Sequence, residues 1–179
     1  MQGSSLVLCP GSGAGHRGLP GAEMALLVGR HVNKIDRKGR VSVPKPFRDA
    51  LAAAGSEFAG LYAYPLFKVP AIEVCGEDFM TRLAESLDDL DMFSDDQDDL
   101  ASVLLESAHP LPFDPEGRVV LPGDLLDHAG LEGQAFFVGR GARFQIWNPD
   151  TYQANRGQAF ERARSRGATL RLRPREDDT

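Results

Sequence analysis

The alternation of apolar and polar positions along the chain predicts short strands interrupted by helices. Val41 and Val43 on either side of Ser42, and Val119 and Leu121 on either side of Val120, recur at every second position as the inward side of a half-buried strand does, and each run stops at a proline, Pro44 or Pro122, which has no N–H for a ladder. Apolar spacing then becomes helical. Phe47, Ala50, Leu51 and Ala54 precede Gly55, while Leu125, Leu126 and Ala129 precede Gly130, and each glycine stands where a helix C-terminus favours one. Two further strands are predicted after each helix, over residues 61–64 with 71–74 and over 135–138 with 144–147. Helical spacing returns at Phe79, Leu83, Leu87 and Leu90, and Ser94 with Gln97 offers a capping box for a helix carrying Leu100, Val103 and Leu104. Asn148 as cap and Pro149 in the first turn start a last helix reaching roughly Arg166. Trp147 and the phenylalanines are expected in the core.

The element order is given twice because the sequence is. Laid over residues 113–125, residues 35–47 share Asp36 with Asp114, Gly39 with Gly117, Arg40 with Arg118, Val41 with Val119 and Pro44 with Pro122. Background residue frequencies supply roughly one such identity. Ile35 and Phe113, Val43 and Leu121, and Phe47 and Leu125 match as apolar pairs. Asp first and Gly fourth is the chemistry of a type I turn, so residues 36–39 and 114–117 are both predicted to turn the chain into a hairpin. Four short strands per copy are too few to close a stable barrel. The two copies are therefore expected to interleave around one shared core with an approximate twofold axis.

Charge changes this picture by dividing the copies. Seven cations stand between residues 30 and 48 against the lone Asp36, whereas twelve acids between residues 73 and 106 face only Arg82. A second basic run, from Arg156 to Arg175, closes the chain before Glu176. The net charge of −6 thus conceals a basic face of the kind that meets phosphate. With 179 residues, 42% hydrophobic and 26% charged, the composition is that of a globular chain, and no apolar run reaches the 18 or so residues of a membrane span. Cys9 and Cys75 cannot form a disulfide framework, and the four histidines give no metal-binding spacing. No cofactor, metal, small-molecule substrate or membrane partner is expected, and the cytoplasm is the expected compartment. Residues 1–23, rich in Gly, Ser and Pro, read as a disordered extension, with Met24 as an alternative start.

Chemistry concentrates at the first turn. Lys34, Arg37, Lys38 and Lys45 are read as phosphate contacts, about four for each subunit, and Arg40 as either a guanine-reading side chain or an ion-pair partner of Asp36. In the second copy Asp114 and Glu116 surround Arg118, which points to a structural role for that copy. Asp36 and Asp114 resemble the paired carboxylates of aspartic proteases, but Arg37 and Pro115 follow them instead of the Thr or Ser and then Gly of those enzymes, and no enzyme activity is expected. Trailing arginines beyond residue 155 read as an exposed polar helix face rather than a second DNA arm.

On these residues the chain resembles the bacterial MraZ family, a branch of the swapped-hairpin fold that also includes AbrB-like and SpoVT-like regulators. The likeness runs from about Met24 to Arg171. It rests on Val32, Asn33, Lys34, Ile35, Asp36, Lys38, Gly39, Arg40, Val41, Ser42, Val43 and Pro44, on Phe113, Asp114, Gly117, Arg118, Val119, Leu121 and Pro122, and on the run from Phe144 to Trp147. It implies an α+β, mainly β architecture: two tandem swapped-hairpin AbrB-like repeats in a pseudo-twofold double-psi-type barrel with flanking helices. The first repeat is placed at 24–91, an acidic helical connection at 92–107, the second repeat at 108–167 and a tail at 168–179. The family's function implies a nucleoid-associated, sequence-specific regulator, usually a repressor of the division and cell-wall gene cluster including its own gene. Its partners would be double-stranded DNA with short tandem repeats and further copies of itself in a ring. The DNA-binding residues implied and read together are Asn33, Lys34, Arg37, Lys38, Arg40 and Lys45, with Asp36, Gly39, Asp114, Gly117 and Arg118 forming the turns. The alternatives are a structural or partner-binding ring using the acidic segment, and an antitoxin-like regulator of the same fold.

Overall fold

In the computed structural model, which describes residues 26–171, the strands of each repeat find partners in the other. The expectations for residues 1–23, for Met24 and for the chain end beyond residue 171 lie outside the described residues. β1 (Arg30–Lys34) pairs antiparallel with β7 (Gln134–Gly139), and at the corresponding place β5 (His109–Pro112) pairs with β3 (Gly60–Pro65). In the middle β4 (Ala71–Cys75) lies against β8 (Arg143–Trp147), giving a six-stranded antiparallel sheet in the order β1-β7-β8-β4-β3-β5. β2 (Arg40–Ser42) and β6 (Arg118–Val120) form a separate two-stranded ribbon.

The register fixes the internal twofold. Val41 stands opposite Val119, its own repeat counterpart, and Glu73 stands opposite Gln145. Two expectations need correction here. The sheet does not close into a barrel among the described residues: β1 and β5 are its edges, and the ribbon is not one of its strands, Ile35–Val41 being an isolated bridge just beyond β1. β5 also carries Pro110 and Pro112, which cannot extend a ladder. Nor do the Asp turns join two strands paired along their length. Each turn is closed locally, the Gly39 N–H donating to the Asp36 carbonyl and the Asp36 N–H to the Arg40 carbonyl, both at 3.0 Å, with the matching bonds of Gly117 to Asp114 and Asp114 to Arg118 both at 2.9 Å, before the flanking strands diverge to partners in the other repeat.

Helices fill the connections where the periodicity placed them. α1 (Lys45–Ala53) buries Phe47 and Leu51, and α4 (Gly123–Ala129) buries Leu125 and Ala129. These side chains, with Val41, Val43, Val119 and Leu121 of the ribbon, pack on Ile72, Val74, Phe137, Phe144 and Ile146 of the sheet. One core thus lies between ribbon and sheet, with the Phe47 and Phe144 rings 4.9 Å apart. The opposite sheet face carries a smaller cluster of Ala71, Val138 and Trp147, covered by Tyr152 of α5 (Pro149–Ser165).

α2 (Glu77–Asp88) leads into α3 (Asp95–Ala101), where the Ser94 hydroxyl accepts the Gln97 N–H, one half of the capping box, while the Ser94 N–H donates to the Asp91 carbonyl instead; α3 then loosens into one π-helical turn, Ser102–Glu106. At α5 the Asn148 side chain accepts the N–H groups of Asp150 and Thr151. Trp147, Phe47, Phe137 and Phe144 are buried as expected, but Phe67, Phe93 and Phe160 are exposed. No helix among the described residues is long and apolar enough to cross a membrane.

Candidate nucleic-acid interface

Both Asp turns are built from the same hydrogen bonds. Asp36 Oδ1 accepts the backbone N–H groups of Lys38 and Arg40 at 2.8 and 3.0 Å, and Asp114 Oδ1 accepts those of Glu116 and Arg118 at 2.9 and 2.8 Å. The second carboxylate oxygen takes the arginine: Arg40 Nε lies 2.6 Å from Asp36 Oδ2, and Arg118 Nε 2.7 Å from Asp114 Oδ2. These donors, the Arg40 and Arg118 N–H groups foremost, hold both carboxyls below the ordinary aspartate range. Both oxygens of each carboxylate are thus engaged by its own turn. Gly39 and Gly117 adopt φ +76° and +74°, which lets the glycine carbonyls turn across the axis. The Gly39 carbonyl accepts the Leu121 N–H at 2.9 Å, and that of Gly117 accepts the Val43 N–H at 3.1 Å.

The frame is symmetric and the charges on it are not. In the first turn Arg37 and Lys38 are exposed and have no acidic partner among the described residues. The matching positions of the second turn hold Pro115 and Glu116, and Glu116 forms an ion pair with Arg118 Nη2. Arg118 is thus claimed by two acids, which raises its pKa further, with the Asp114 hydrogen bond as the largest cause. Only the Nε of Arg40 is engaged, and its terminal nitrogens have no partner among the described residues.

Arg48 widens the difference. Its Nε donates to the Val43 carbonyl at 3.1 Å, and its guanidinium lies so close over Gly117 that a Cβ there would meet Nη1. Leu126, its counterpart on α4, covers Gly39 instead. The second turn is therefore capped by a cation from the first repeat, and the first turn by an apolar side chain. Sequence reading counted Arg48 among the basic residues without singling it out; the available signal was its alignment with Leu126 in the repeat.

Of the other DNA-binding residues expected, Lys34 is exposed at the end of β1. Asn33 faces the ribbon, its Nδ2 donating to the Ser42 carbonyl at 2.6 Å, and so braces the base of the turn. Lys45 pairs with Asp49 one helical turn on, at 2.6 Å, with both groups exposed. His31 lies edge-on to Phe47, 5.3 Å between ring centroids. The structure thus gathers Lys34, Arg37, Lys38 and Arg40 about one turn and assigns Asn33 and Lys45 local partners.

A polar cluster whose members no local spacing connects lies on the far side of the sheet. Glu73, 3% exposed, accepts from Gln145 Nε2 at 3.0 Å, and Gln145 Oε1 accepts from Trp147 Nε1 at 2.9 Å and Arg140 Nη2 at 3.1 Å. Arg143 Nε sits 2.8 Å from Glu73 Oε1 as an ion pair, without the alignment of a hydrogen bond. Burial is the main cause that pushes the Glu73 carboxyl above its ordinary range, against the lowering effects of Gln145 and Arg143. Burial likewise pushes the neighbouring Cys75 thiol up to about 12.

Comparison with known proteins bears on what such a frame belongs to. A protein of Rickettsia felis named Transcriptional regulator MraZ is 40% identical over 149 residues, which is 83% of this chain and 98% of that protein. The chain belongs to the MraZ family. One from Gluconacetobacter diazotrophicus with the same name is 42% identical over 144 residues, 79% of this chain and 90% of its own, and one from Rickettsia bellii is 41% identical over 140 residues, 78% and 91%. A family profile described as "MraZ protein, putative antitoxin-like" matches residues 104–171, the part that holds the second copy of the motif. The alignment with the Rickettsia felis protein covers so much of the chain that it includes both Asp turns wherever it starts.

Proposed function

We propose that this protein is a sequence-specific, DNA-binding transcriptional regulator that meets DNA with the first Asp turn. The observation that carries the reading is the charge difference between two turns of one geometry. Arg37 and Lys38 stand free on the first, while Pro115 and Glu116 make the second acidic. Asp36 fixes the Arg40 side chain by its Nε, so its terminal nitrogens are held ready for a guanine edge with little ordering left to do on binding. Lys34, Arg37 and Lys38 take phosphates on either side. Asn33 and Lys45, with partners of their own, support the turn and contact DNA after it. Gly39 and Asp36 shape it, and Asp114, Gly117 and Arg118 supply its structural counterpart. The names of the MraZ relatives agree with this reading.

Three phosphate contacts give a subunit a salt slope of roughly −2.7, too few for tight binding alone. The regulator therefore acts as a homo-oligomer, a ring on tandem promoter elements, where a second engagement is effectively intramolecular. Its target is the promoter of the division and cell-wall gene cluster, its own gene included, and its effect there is repression. Fluorescence anisotropy with DNA from upstream of its own gene tests the reading: specific binding is expected, tighter to the tandem array than to one element. Equal binding to unrelated DNA, or none at low salt, overturns it in favour of a partner-binding ring.

A further inference from the structure

A cleft of about 400 Å³ opens beside the second Asp turn, with α1 on one side and the turn and the entry to β3 on the other. β3 begins fifteen residues after α1 does, and β7 only eleven after α4, so the first repeat has four more residues between helix and strand. That longer connection holds Ser56 and Phe58 on the cleft. It is firmly built. The Ser56 hydroxyl accepts the Phe58 N–H at 3.0 Å and donates to the Glu77 carboxylate at the start of α2. The Phe113 N–H, just before the second turn, donates to the Ala59 carbonyl at 2.9 Å and ties the two walls together. The Phe58 ring rests on Tyr62, 5.4 Å between centroids, and crosses Gly60 so closely that a Cβ there would collide with it.

Four charged side chains line the cleft: Arg48, Asp49, Glu77 and Asp114. Asp49 is held by Lys45, and Asp114 by Arg118. Arg48 has no acidic partner among the described residues, its Nε donating to the Val43 carbonyl at 3.1 Å instead, and Glu77 has the Ser56 hydroxyl but no cation. One positive and one negative charge therefore stand unneutralised. The helix sets them apart, since Arg48 lies in the first turns of α1 and Ser56, which engages Glu77, follows its end. From Arg48 to Ala54 the helix axis advances about 9 Å. Leu51, Ala52, Phe58 and Phe113 line the cleft between the two charges.

We propose that this cleft binds a short peptide of about three residues with both ends free, its carboxylate on Arg48 and its ammonium on Glu77. An extended chain advances about 3.3–3.6 Å per residue, so three residues reach from one charge to the other, whereas the adjacent charges of a single amino acid cannot. Charge-assisted hydrogen bonds at the ends fix orientation, and the apolar walls take the central side chain. A phosphate ligand suits the cleft less well, because Asp49 and Asp114 flank Arg48, and a polyamine offers Arg48 nothing. Arg48 also braces the Val43 carbonyl just after β2, the strand that leaves the first Asp turn, so a bound carboxylate bears on that turn. This last use rests on the regulator reading above; the binding itself does not.

Isothermal titration calorimetry on the full-length protein without DNA, with the tripeptide Ala-Leu-Ala as probe, tests the binding separately from any DNA activity. Saturable uptake of one peptide per chain is expected. Acetylating its amino end or amidating its carboxyl end should each weaken binding by roughly tenfold or more, and free leucine should bind more weakly by a similar factor. Arg48→Met and Glu77→Gln should each weaken the free peptide likewise. Arg48→Met should become indifferent to amidation while still sensing acetylation, and Glu77→Gln the reverse. The peptide series on the unaltered protein holds even where a variant fails to fold, which the circular dichroism melt identifies. No saturable binding by calorimetry or thermal shift overturns the proposal. So does a doubly blocked peptide or free leucine that matches Ala-Leu-Ala, and so do folded variants that keep the parent affinity.

Discussion

Arg40 Nε lies 2.6 Å from Asp36 Oδ2, an exposed ion pair that leaves the rest of the guanidinium open. Such pairs contribute little to stability. Arg40→Ala is therefore expected to leave the thermal melt nearly unchanged while lowering affinity for the specific element by roughly tenfold to a hundredfold, with non-specific binding nearly unaltered. Arg118→Ala is the control at the matching position and is expected to leave DNA binding intact. Anisotropy titrations with specific and scrambled duplexes read both; a collapsed melt for Arg40→Ala would make that residue structural.

Arg37 and Lys38 are expected to act through phosphate. Replacing both by Ala should flatten the dependence of log affinity on log salt by about 1.8, since each lost phosphate contact removes about 0.9. Replacing Pro115 and Glu116 by Ala should leave the slope where it was. A salt series at fixed temperature decides, and an unchanged slope for the first pair assigns the phosphates to another surface.

Gly39 is irreplaceable for two reasons that act together: its φ of +76°, and a Leu121 carbonyl that would stand 2.9 Å from any added Cβ. Gly39→Ala is expected to cost roughly 1–3 kcal/mol of unfolding free energy in chemical denaturation. Gly117→Ala meets the Arg48 guanidinium instead, which can swing away at the expense of its bond to the Val43 carbonyl, so its cost should be the smaller of the two.

Phe47 is 1% exposed and packs on Phe144, at the place where the second repeat has Leu125. Truncation to Ala is expected to cost about 3–5 kcal/mol, and Phe47→Leu, which copies the other repeat, much less. Equilibrium urea unfolding provides the measurement.

Glu73 gives a pH signature. Below its ordinary value of 4.5 the residue is protonated in folded and unfolded chains alike and has no effect on their balance. Above it the unfolded chain ionises first, because burial raises the folded pKa, so this group disfavours the native state as pH rises. Glu73→Gln keeps an acceptor for Gln145 and is expected to be more stable than the parent at neutral pH, the difference vanishing in acid. A variant less stable at neutral pH would show that the Arg143 pair outweighs desolvation.

The elements were legible in the sequence because their signals are local. Pro44 and Pro122 end strands, Gly55 and Gly130 end helices, and Ser94 and Asn148 cap, each by what a single residue does to its own backbone. The turns were legible because Asp36 and Asp114 recur with their glycines and arginines. Pairing partners were not: main-chain ladders carry no residue code, and β1 suits β2 as well as β7 on alternation alone. The Lys45–Asp49 pair was legible as an i, i+4 spacing, but one acid among so many cations is easily passed over. The exposure of Phe93 and Phe160 was not legible, because an isolated aromatic residue does not reveal which way its face of the helix or elbow looks.

Exchange of strands between the halves also governs the order in which the molecule is made. Arg30 sits opposite Val138, and Lys34 opposite Gln134. During synthesis, the opening strand waits without a neighbour until nearly the whole chain has left the ribosome, and the nascent first half holds an open edge for that time. Slow assembly and a need for shielding of the growing chain follow from the same interleaving that gives the finished protein its single core.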